Sequence, residues 1–337
     1  MTDITAPLPE LPEWARGAVN LASPRLGTVA HAASDEFFAP RDRLIRDAPP
    51  VFRPGLYDEH GKWMDGWESR RRRDSGHDWC LIRLGGPAVI HGVDIDTSFF
   101  TGNYPPAAAI HAIWSEAEPA ADAEWCEIVP PTALGPDAHH FLTAREAPGP
   151  VNWVRLDIFP DGGVARLRLY GRLVPDWGAA GGDVLELSAL RHGGRVVAFN
   201  DAHYGDVWAI LSEGRGRDMG DGWETRRRRE PGHDWLIVAL GAAGTVERIE
   251  IDTCHFRGNY PDRASVQAAR VAPGPDSAVV AGAMFWPQIL AEQKLQADHV
   301  HVFSGADITA AGPVTHVKLN IHPDGGISRF RVFGRRA

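Results

Sequence analysis

A fifteen-residue segment occurs twice in this chain. Residues 65–79 read DGWESRRRRDSGHDW and residues 221–235 read DGWETRRRREPGHDW, so twelve of the fifteen positions are identical. A match of this length indicates an internal duplication. The offset of 156 residues is too long for a solenoid unit and is typical of two complete domains, because single domains commonly have about 100–150 residues.

Two further segments recur in the same order. IDTSFFTGNYP at residues 95–105 matches IDTCHFRGNYP at 251–261, and residues 151–172 match 314–335, with a PDGG sequence in both copies. The second copy has a net insertion of seven residues between these two segments, whereas the first copy is ten residues longer before its DGWE sequence. Such length differences usually fall in surface loops.

Alternation of apolar and polar residues predicts β-strands throughout. It is clearest at residues 154–158 and 164–170, and the PDGG sequence between them predicts a tight turn. We therefore predict a β-hairpin from Val151 to Gly171 and a second one from Val314 to Gly334. With 36 glycines and 26 prolines to separate short strands, the predicted fold is all-β, with two tandem β-sandwich jelly-roll domains.

Other elements follow from the same pattern. Further strands are predicted at Trp79–Leu84, Val89–Asp96, Trp235–Leu240 and Val246–Asp252. The predicted organisation is a first domain with an N-terminal arm at 1–174, a linker at 175–183 and a second domain at 184–337. Residues 11–23 fit either a short helix or an arm that packs on the first domain, and the four signature tryptophans Trp67, Trp79, Trp223 and Trp235 are expected in the cores.

Bulk properties limit the class of protein. A net charge of −9 argues against a nucleic-acid partner, and no segment has the roughly 20 apolar residues of a membrane span. The three cysteines occupy unmatched positions in the two copies, and the N-terminus lacks a signal-peptide pattern. We therefore expect a reduced, cytoplasmic protein that acts on a small molecule, with neither nucleic acid nor membrane as partner.

The order of these segments resembles the galactose-binding-like, discoidin-type jelly roll. More specifically, the chain resembles the allantoicase family over nearly its full length. The segments that carry the resemblance are LASPR at 21–25, SDEFFAP at 34–40, both DGWE…GHDW segments, both IDT…GNYP segments and both PDGG sequences. The resemblance implies hydrolysis of allantoate to ureidoglycolate and urea in allantoin and purine degradation. Enzymes of this kind are commonly homo-oligomers, and we expect one here.

Release of urea from allantoate breaks the bond between the central carbon and a ureido nitrogen. This needs a cation for the carboxylate, polar groups for the ureido arms and a general acid–base. Candidate catalytic residues are Glu36, His203, His255, Asp252 and Glu224. Candidate substrate-binding residues are Arg70, Arg72, Arg226, Arg228, His77, His233, Asp96, Asn103 and Asn259.

Each candidate also has a structural interpretation. In an extended segment at most two of four consecutive arginines can reach one pocket. For each arginine, an ion pair with a neighbouring carboxylate is as expected as a role in binding the substrate. His77 and His233 fit a turn held by side-chain hydrogen bonds. Three phenylalanines of the first copy, at 37, 99 and 159, are histidines at 203, 255 and 322. This difference fits either proton chemistry or a more polar surface in the second copy.

No cofactor is expected to be required, since metal-ligand spacings are missing; a divalent cation held by Asp35 and Glu36 stays open as an alternative. Glu36 has no counterpart in the second copy, so catalysis by either copy, or by both together, also stays open. The alternative function is a non-catalytic pair of carbohydrate- or ligand-binding modules, because this type of fold often binds without catalysing. An oligomerisation protein and an ammonia-releasing attack on the ureido carbonyl are weaker alternatives.

Overall fold

The computed structural model describes residues 2–15, 18–175, 177 and 184–337. The chain forms two compact units, Met1–Val174 and Pro175–Ala337, which we call repeat 1 and repeat 2. Each repeat contains an eight-stranded antiparallel sheet system, and a single α-helix occurs in the described part of the chain. The prediction of two all-β jelly-roll domains is confirmed. The predicted linker at 175–183 lies almost wholly outside the described residues.

The strands of repeat 1 are β1 (Ile4–Thr5), β2 (Val19–Asn20), β3 (Val29–Ala33), β4 (Val51–Phe52), β5 (Tyr57–Asp58), β6 (Gly61–Lys62), β7 (Trp67–Glu68), β8 (Asp78–Asp96), β9 (Ala107–Ile113), β10 (Cys126–Ala133), β11 (His139–Thr143), β12 (Val151–Phe159), β13 (Gly163–Val164) and β14 (Arg166–Leu173). Short 3-10 helices occupy Glu13–Ala15, Pro24–Leu26 and Arg41–Ile45. Among the described residues of the segment 11–23 are one helical turn and a strand, β2, which pairs with β14.

The strands of repeat 2 are β15 (Leu185–Glu186), β16 (Arg195–Phe199), β17 (Trp223–Glu224), β18 (Asp234–Asp252), β19 (Arg263–Ala269), β20 (Gln288–Lys294), β21 (Val300–Ser304), β22 (Val314–His322), β23 (Gly326–Ile327) and β24 (Arg329–Arg336). The helix α1 (Asp276–Gly282) lies in the insertion of this repeat, and 3-10 helices occupy Leu190–His192, Val207–Leu211, Ala283–Phe285 and Gly305–Asp307. None of the helices in the described residues has the length and apolar character that crossing a membrane requires.

Strand β8 is one continuous strand rather than the two that the sequence predicts. Its first part pairs with β12 and its second part with β14, and β18 is organised in the same way. The Gly85–Pro87 segment, which reads as a strand break, stays extended. Glycine is required at 85 because a Cβ there would lie 1.7 Å from the backbone oxygen of Leu26.

The predicted PDGG hairpins are wrong. Strand β12 pairs with β8 and β9, whereas β14 pairs with β8 and β2, so the two strands that flank PDGG do not pair with each other. Instead, PDGG leads into β13, which pairs with β7 of the DGWE segment. The reason is that β8 is long enough to give each strand its own part to pair with. Alternation alone reports a half-buried strand and does not identify its neighbour.

The two cores are built alike. Trp67 and Trp223 are fully buried, and each indole nitrogen donates a hydrogen bond of 2.8 Å to a backbone oxygen, that of Asp35 or Asp201. The core position predicted for these two tryptophans is confirmed. Trp79 and Trp235 are only partly buried, on strands whose outer face carries polar side chains.

Candidate active site: the signature pocket

The three duplicated sequence segments meet in one pocket of repeat 1, which has a volume of about 310 Å³. We call it the signature pocket. Its polar lining comes from the DGWE segment, the GNYP loop and the PDGG segment: Glu68, Ser69, Arg71, Asn103 and Asp161. A duplication that keeps all three segments has therefore kept one site.

Backbone hydrogen bonds hold the three segments together. Strand β7 pairs with β13 through Glu68 and Gly163, and the amide of Ser69 donates to the oxygen of Gly162 over 3.1 Å. The amide of Gly163 donates to the oxygen of Asn103 over 2.7 Å. Gly162 has a φ of 144°, and a Cβ there would lie 2.8 Å from that same oxygen. The first glycine of PDGG thus lets the GNYP loop approach.

Glu68 is a buried carboxyl group in the pocket wall. It is 9% exposed, and its Oε1 accepts a hydrogen bond of 2.7 Å from Nδ2 of Asn103. Burial raises the pKa of Glu68, and the charge of Asp58 raises it further, while Asn103 and Lys62 act in the opposite direction. A carboxyl group of this kind holds a proton more readily than an exposed one and can donate it.

Arg71 supplies the positive charge of the pocket. Its side chain is 76% exposed, and its Nε lies 3.7 Å from Oδ1 of Asp161. Asp161 itself is buried and accepts a hydrogen bond of 2.8 Å from the backbone amide of Arg72. Asp161 is therefore fixed by the backbone, and the exposed guanidinium of Arg71 is available to an incoming carboxylate.

The neighbouring arginines of repeat 1 form ion pairs outside the pocket. Arg70 lies 2.6 Å from Asp35, and Arg72 contacts Asp74 at 2.7 Å and Asp78 at 2.6 Å. Alternate residues of the run thus point to different sides, as the sequence predicts. The side that faces the pocket carries Arg71, which the sequence analysis did not single out.

Repeat 2 reproduces this arrangement. Arg226 pairs with Asp201 at 2.7 Å and Arg228 with Asp234 at 2.5 Å, while Arg227, the counterpart of Arg71, is exposed. The four arginines predicted to bind substrate, Arg70, Arg72, Arg226 and Arg228, are thus all placed in ion pairs that order the signature segments.

The polar set of the pocket also recurs in repeat 2. Asn259 donates from its side-chain amide to Glu224, as Asn103 does to Glu68. Asp324 accepts a hydrogen bond of 2.8 Å from the amide of Arg228, the equivalent of the bond between Asp161 and Arg72. Glu224 is, however, more exposed than Glu68. Of the predicted residues, the structure therefore brings Asn103, Asn259 and Glu224 into signature-pocket positions.

His77 belongs to a charged cluster on the outer sheet face. Its Nε2 lies 3.0 Å from Oδ1 of Asp157, whose Oδ2 lies 2.7 Å from Nδ1 of His111, and Arg155 contacts the same carboxylate at 3.1 Å. Burial tends to raise the pKa of Asp157, but the hydrogen bond from His111, the charge of Arg155 and the bond from His77 together lower it. Asp157 is thus held as a carboxylate.

The corresponding cluster of repeat 2 is made of amides. His233 Nε2 lies 3.1 Å from Oδ1 of Asn320, and Nδ2 of Asn320 donates to Gln267 over 3.1 Å. Lys318 takes the position of Arg155 and lies over the ring of Trp235 at 5.2 Å. Burial lowers the pKa of Lys318.

The remaining candidates lie outside the pocket. Glu36 pairs with Arg41 at 2.5 Å. Asp96 and Asp252 each accept a hydrogen bond from the amide two residues onward, at 2.8 Å and 2.7 Å, and so begin their IDT loops. Asp252 also lines another pocket, which lies in repeat 2, and is 3.9 Å from Arg215.

The two histidines proposed for proton transfer have different surroundings. His203 is exposed, with its ring 4.3 Å from that of Tyr204. His255 donates from Nε2 to the backbone oxygen of Gly216 over 2.8 Å. The roles of His203 and His255 in proton transfer stay predictions.

Asp35 and Glu36, considered for a divalent cation, contact separate arginines, Arg70 and Arg41. Over residues 2–15, 18–175, 177 and 184–337, no three His, Cys, Asp or Glu side chains are grouped as metal ligands. The pocket residues that sequence reasoning missed are Glu68, Arg71 and Asp161. One signal could have found Glu68 and Asp161: each lies in a segment that both copies keep, and both copies have the same residue type at its position.

The family model described as the allantoicase repeat matches residues 19–174 and again residues 185–337. These two matches coincide with the two copies of the duplicated segments. A protein of Burkholderia mallei named probable allantoicase 1 is 56% identical over 97% of both chains, and one of Ralstonia nicotianae named probable allantoicase is 52% identical over 97% of both chains.

A solved structure shares the whole architecture. The crystal structure of allantoicase from Saccharomyces cerevisiae superimposes with a TM-score of 0.80 and 35% sequence identity, covering 94% of this chain and 93% of the yeast chain.

Proposed function

Because the chain belongs to the allantoicase family, we propose that it hydrolyses allantoate to ureidoglycolate and urea in purine degradation, and that the signature pocket is where this occurs. The observation that carries the assignment of the site is the meeting of all three duplicated segments around a buried glutamate, an asparagine and an exposed arginine. The expected ureohydrolase activity is favoured over a carbohydrate-binding pair, since the similarity to allantoicases covers nearly the full chain.

The pocket supplies the groups that the reaction needs. Arg71 binds the carboxylate of allantoate, and Oδ1 of Asn103, whose Nδ2 is already bound to Glu68, accepts from a ureido N–H. Protonated Glu68 gives its proton to the ureido nitrogen as the carbon–nitrogen bond breaks, so that urea leaves neutral. Water then adds to the carbon of the resulting N-acyliminium ion and gives one proton to the Glu68 carboxylate, which restores the starting state.

Product analysis tests this function. Purified, EDTA-treated protein is incubated with allantoate, and urea, ammonia and ureidoglycolate are measured separately. Urea and ureidoglycolate in equal amounts, without ammonia, are expected. Release of ammonia would instead indicate attack on a ureido carbonyl, and no release of urea, with divalent cations restored, would contradict the proposal.

We also propose that the protein is cytoplasmic and homo-oligomeric. All three cysteines, Cys80, Cys126 and Cys254, are present as thiols, which fits a reducing compartment. Closed homo-oligomers are the commonest assemblies of soluble enzymes. Cell fractionation and sedimentation velocity test the two parts of this proposal, and a monomer at micromolar concentration would contradict the second.

A further inference from the structure

The two repeats differ beside the signature pocket. The ten additional residues of repeat 1 include the strands β5 and β6, which form a small hairpin at Tyr57–Lys62. Its ring and ammonium groups rest on aromatic side chains: His60 lies 4.3 Å from the ring of Phe37, and Nζ of Lys62 lies 4.5 Å from the ring of Phe52. Phe52 in turn stacks on Phe99 at 5.7 Å. We call Phe37, Phe52 and Phe99 the aromatic platform.

Repeat 2 lacks both the hairpin and the platform. Residues 200–222 are all described, and no strand is present between β16 and β17. The positions of Phe37 and Phe99 are occupied by His203, which is exposed, and by His255, which binds the shorter loop through Gly216. The exchange of phenylalanine for histidine therefore follows the presence or absence of the hairpin.

Burial raises the pKa of Glu68, and the two hairpin charges have smaller, opposite effects on it: Asp58 raises this pKa and Lys62 lowers it. Glu68 is buried, while its counterpart Glu224 is partly exposed. The asparagine partner of the carboxylate and the exposed arginine are nevertheless the same in both repeats. The difference thus concerns the desolvation of the acid, not the set of groups that would bind a ureido carboxylate.

We propose that the corresponding sites of the two repeats have different tasks: the signature pocket of repeat 1, with the hairpin beside it, cleaves the carbon–nitrogen bond, and the matching positions of repeat 2 bind a ureido carboxylate without cleaving it. This inference rests on the proposed function. Departure of urea needs a proton at the leaving nitrogen, and a more deeply buried carboxyl group holds a proton more readily than a less buried one. Binding needs only the amide and the guanidinium, which repeat 2 retains.

Paired substitutions in the full-length chain test the division. Glu68→Gln is expected to lower kcat for urea release more than 100-fold, and Glu224→Gln to lower it by less than tenfold. Both variants are checked for an unchanged unfolding transition. An equal loss of kcat in the two variants, or a larger loss in Glu224→Gln, overturns the inference. If the wild-type protein releases no urea at all, the proposed function itself fails, and the two failures are thereby distinguished.

Binding stoichiometry tests the second pocket directly. The probe is N-carbamoylglycine, a ureido carboxylate that has a single ureido group and cannot release urea by the same route. Titration calorimetry of the wild-type protein is expected to show two sites per chain, with one site remaining in Asn103→Ala and one in Asn259→Ala. A single site that Asn259→Ala leaves intact overturns the inference.

The hairpin provides an independent variant. Replacement of residues 57–62 by a Gly-Ser turn is expected to lower kcat at least tenfold while the affinity for N-carbamoylglycine changes less than threefold. It is also expected to move the alkaline limb of the pH profile to lower pH, since Glu68 becomes hydrated. A variant with wild-type kcat and an unchanged pH profile would show that the hairpin is not part of the catalytic pocket.

Discussion

Repeat 1 and repeat 2 share their backbone framework and differ in the side chains and loops around it. Three features recur in both repeats. They are the hydrogen bond from asparagine to glutamate in the pocket, the hydrogen bond from the buried tryptophan to a backbone oxygen, and the ion pairs of the arginine runs. The hairpin, the aromatic platform and the charged cluster on the outer face do not recur. Duplication has therefore preserved what holds the pocket together and has changed what surrounds it.

The side-chain clusters on the outer sheet faces of the two repeats also keep their geometry while their chemistry differs. A carboxylate with two histidines in repeat 1 corresponds to an amide with one histidine and one glutamine in repeat 2, at nearly the same distances. Asparagine is an isostere of aspartate, and the geometry survives while the charge is lost. Geometry and charge are thus separable in this fold, and substitutions can test each.

The largest effect is expected from the shared core. Trp67→Ala and Trp223→Ala should each lower the free energy of unfolding of their repeat by about 3–5 kcal/mol, because both side chains are fully buried and both lose an indole hydrogen bond. Chemical denaturation followed by circular dichroism measures the losses. Losses that differ by more than about 2 kcal/mol would show that the two frameworks are not equivalent.

The arginine that faces the pocket is expected to have the next largest effect. Arg71→Ala should lower kcat/KM for allantoate by about 10- to 100-fold, since a charged hydrogen bond contributes about 1.5–3 kcal/mol. Arg73→Ala is the matched control, because Arg73 is an exposed arginine of the same run and does not line the pocket. Equal losses in steady-state assays of the two variants would remove Arg71 from the site.

The sequence predicts the fold much better than the pairing of strands. The duplication, the strands and the core position of Trp67 follow from repeated segments and period-two alternation, which report burial. Neither pattern predicts the length of β8. The Gly85–Pro87 segment has the composition of a break between two strands, but β8 continues through it. The predicted PDGG hairpins failed for this reason.

The site is predicted at the level of segments and not of side chains. Both copies keep DGWE, GNYP and PDGG, and these segments do line one pocket. Which arginine of a run faces inward depends on where the extended segment begins, and here Asp35 and Asp78 hold Arg70 and Arg72 on the other side. The phenylalanine-to-histidine differences fitted either proton chemistry or a more polar surface in the second copy, and the structure relates Phe37 and Phe99 to a neighbouring hairpin.

A smaller effect on stability is expected when Asp157 of repeat 1 is replaced by asparagine, the residue at the corresponding position of repeat 2. Asp157→Asn should lower the free energy of unfolding by about 1–2 kcal/mol at pH 7, because charge-assisted hydrogen bonds become neutral ones. The pKa of Asp157 is lower in the folded than in the unfolded chain, so its contribution is present above the unfolded pKa of about 3.9 and is lost as pH falls through the folded value. The difference between variant and wild type should therefore shrink below pH 4.

The double variant Asp157→Asn with His111→Gln introduces both amides of the repeat 2 cluster and serves as the control. It should recover part of the loss, since Gln267 accepts from Asn320 in repeat 2. Denaturation at pH 7 and pH 4 measures all three proteins, and a loss for Asp157→Asn that does not depend on pH would show that the charge of Asp157 is not what stabilises the cluster.

The smallest effect is expected at His139, whose counterpart in repeat 2 is Val300. Burial tends to lower the pKa of His139, but its 2.8 Å bond to Asp94 and the charge of Asp96 raise it above the ordinary value. The stability that the imidazolium contributes is thus fully present below the unfolded pKa of about 6.5 and is lost as pH rises through the folded value. His139→Val should therefore destabilise repeat 1 by about 1 kcal/mol at pH 5.5 and by less at pH 8.5. Unfolding measured at both values checks the sign, and a larger loss at pH 8.5 would mean that neutral His139 stabilises the repeat by packing on Phe141 rather than by its charge.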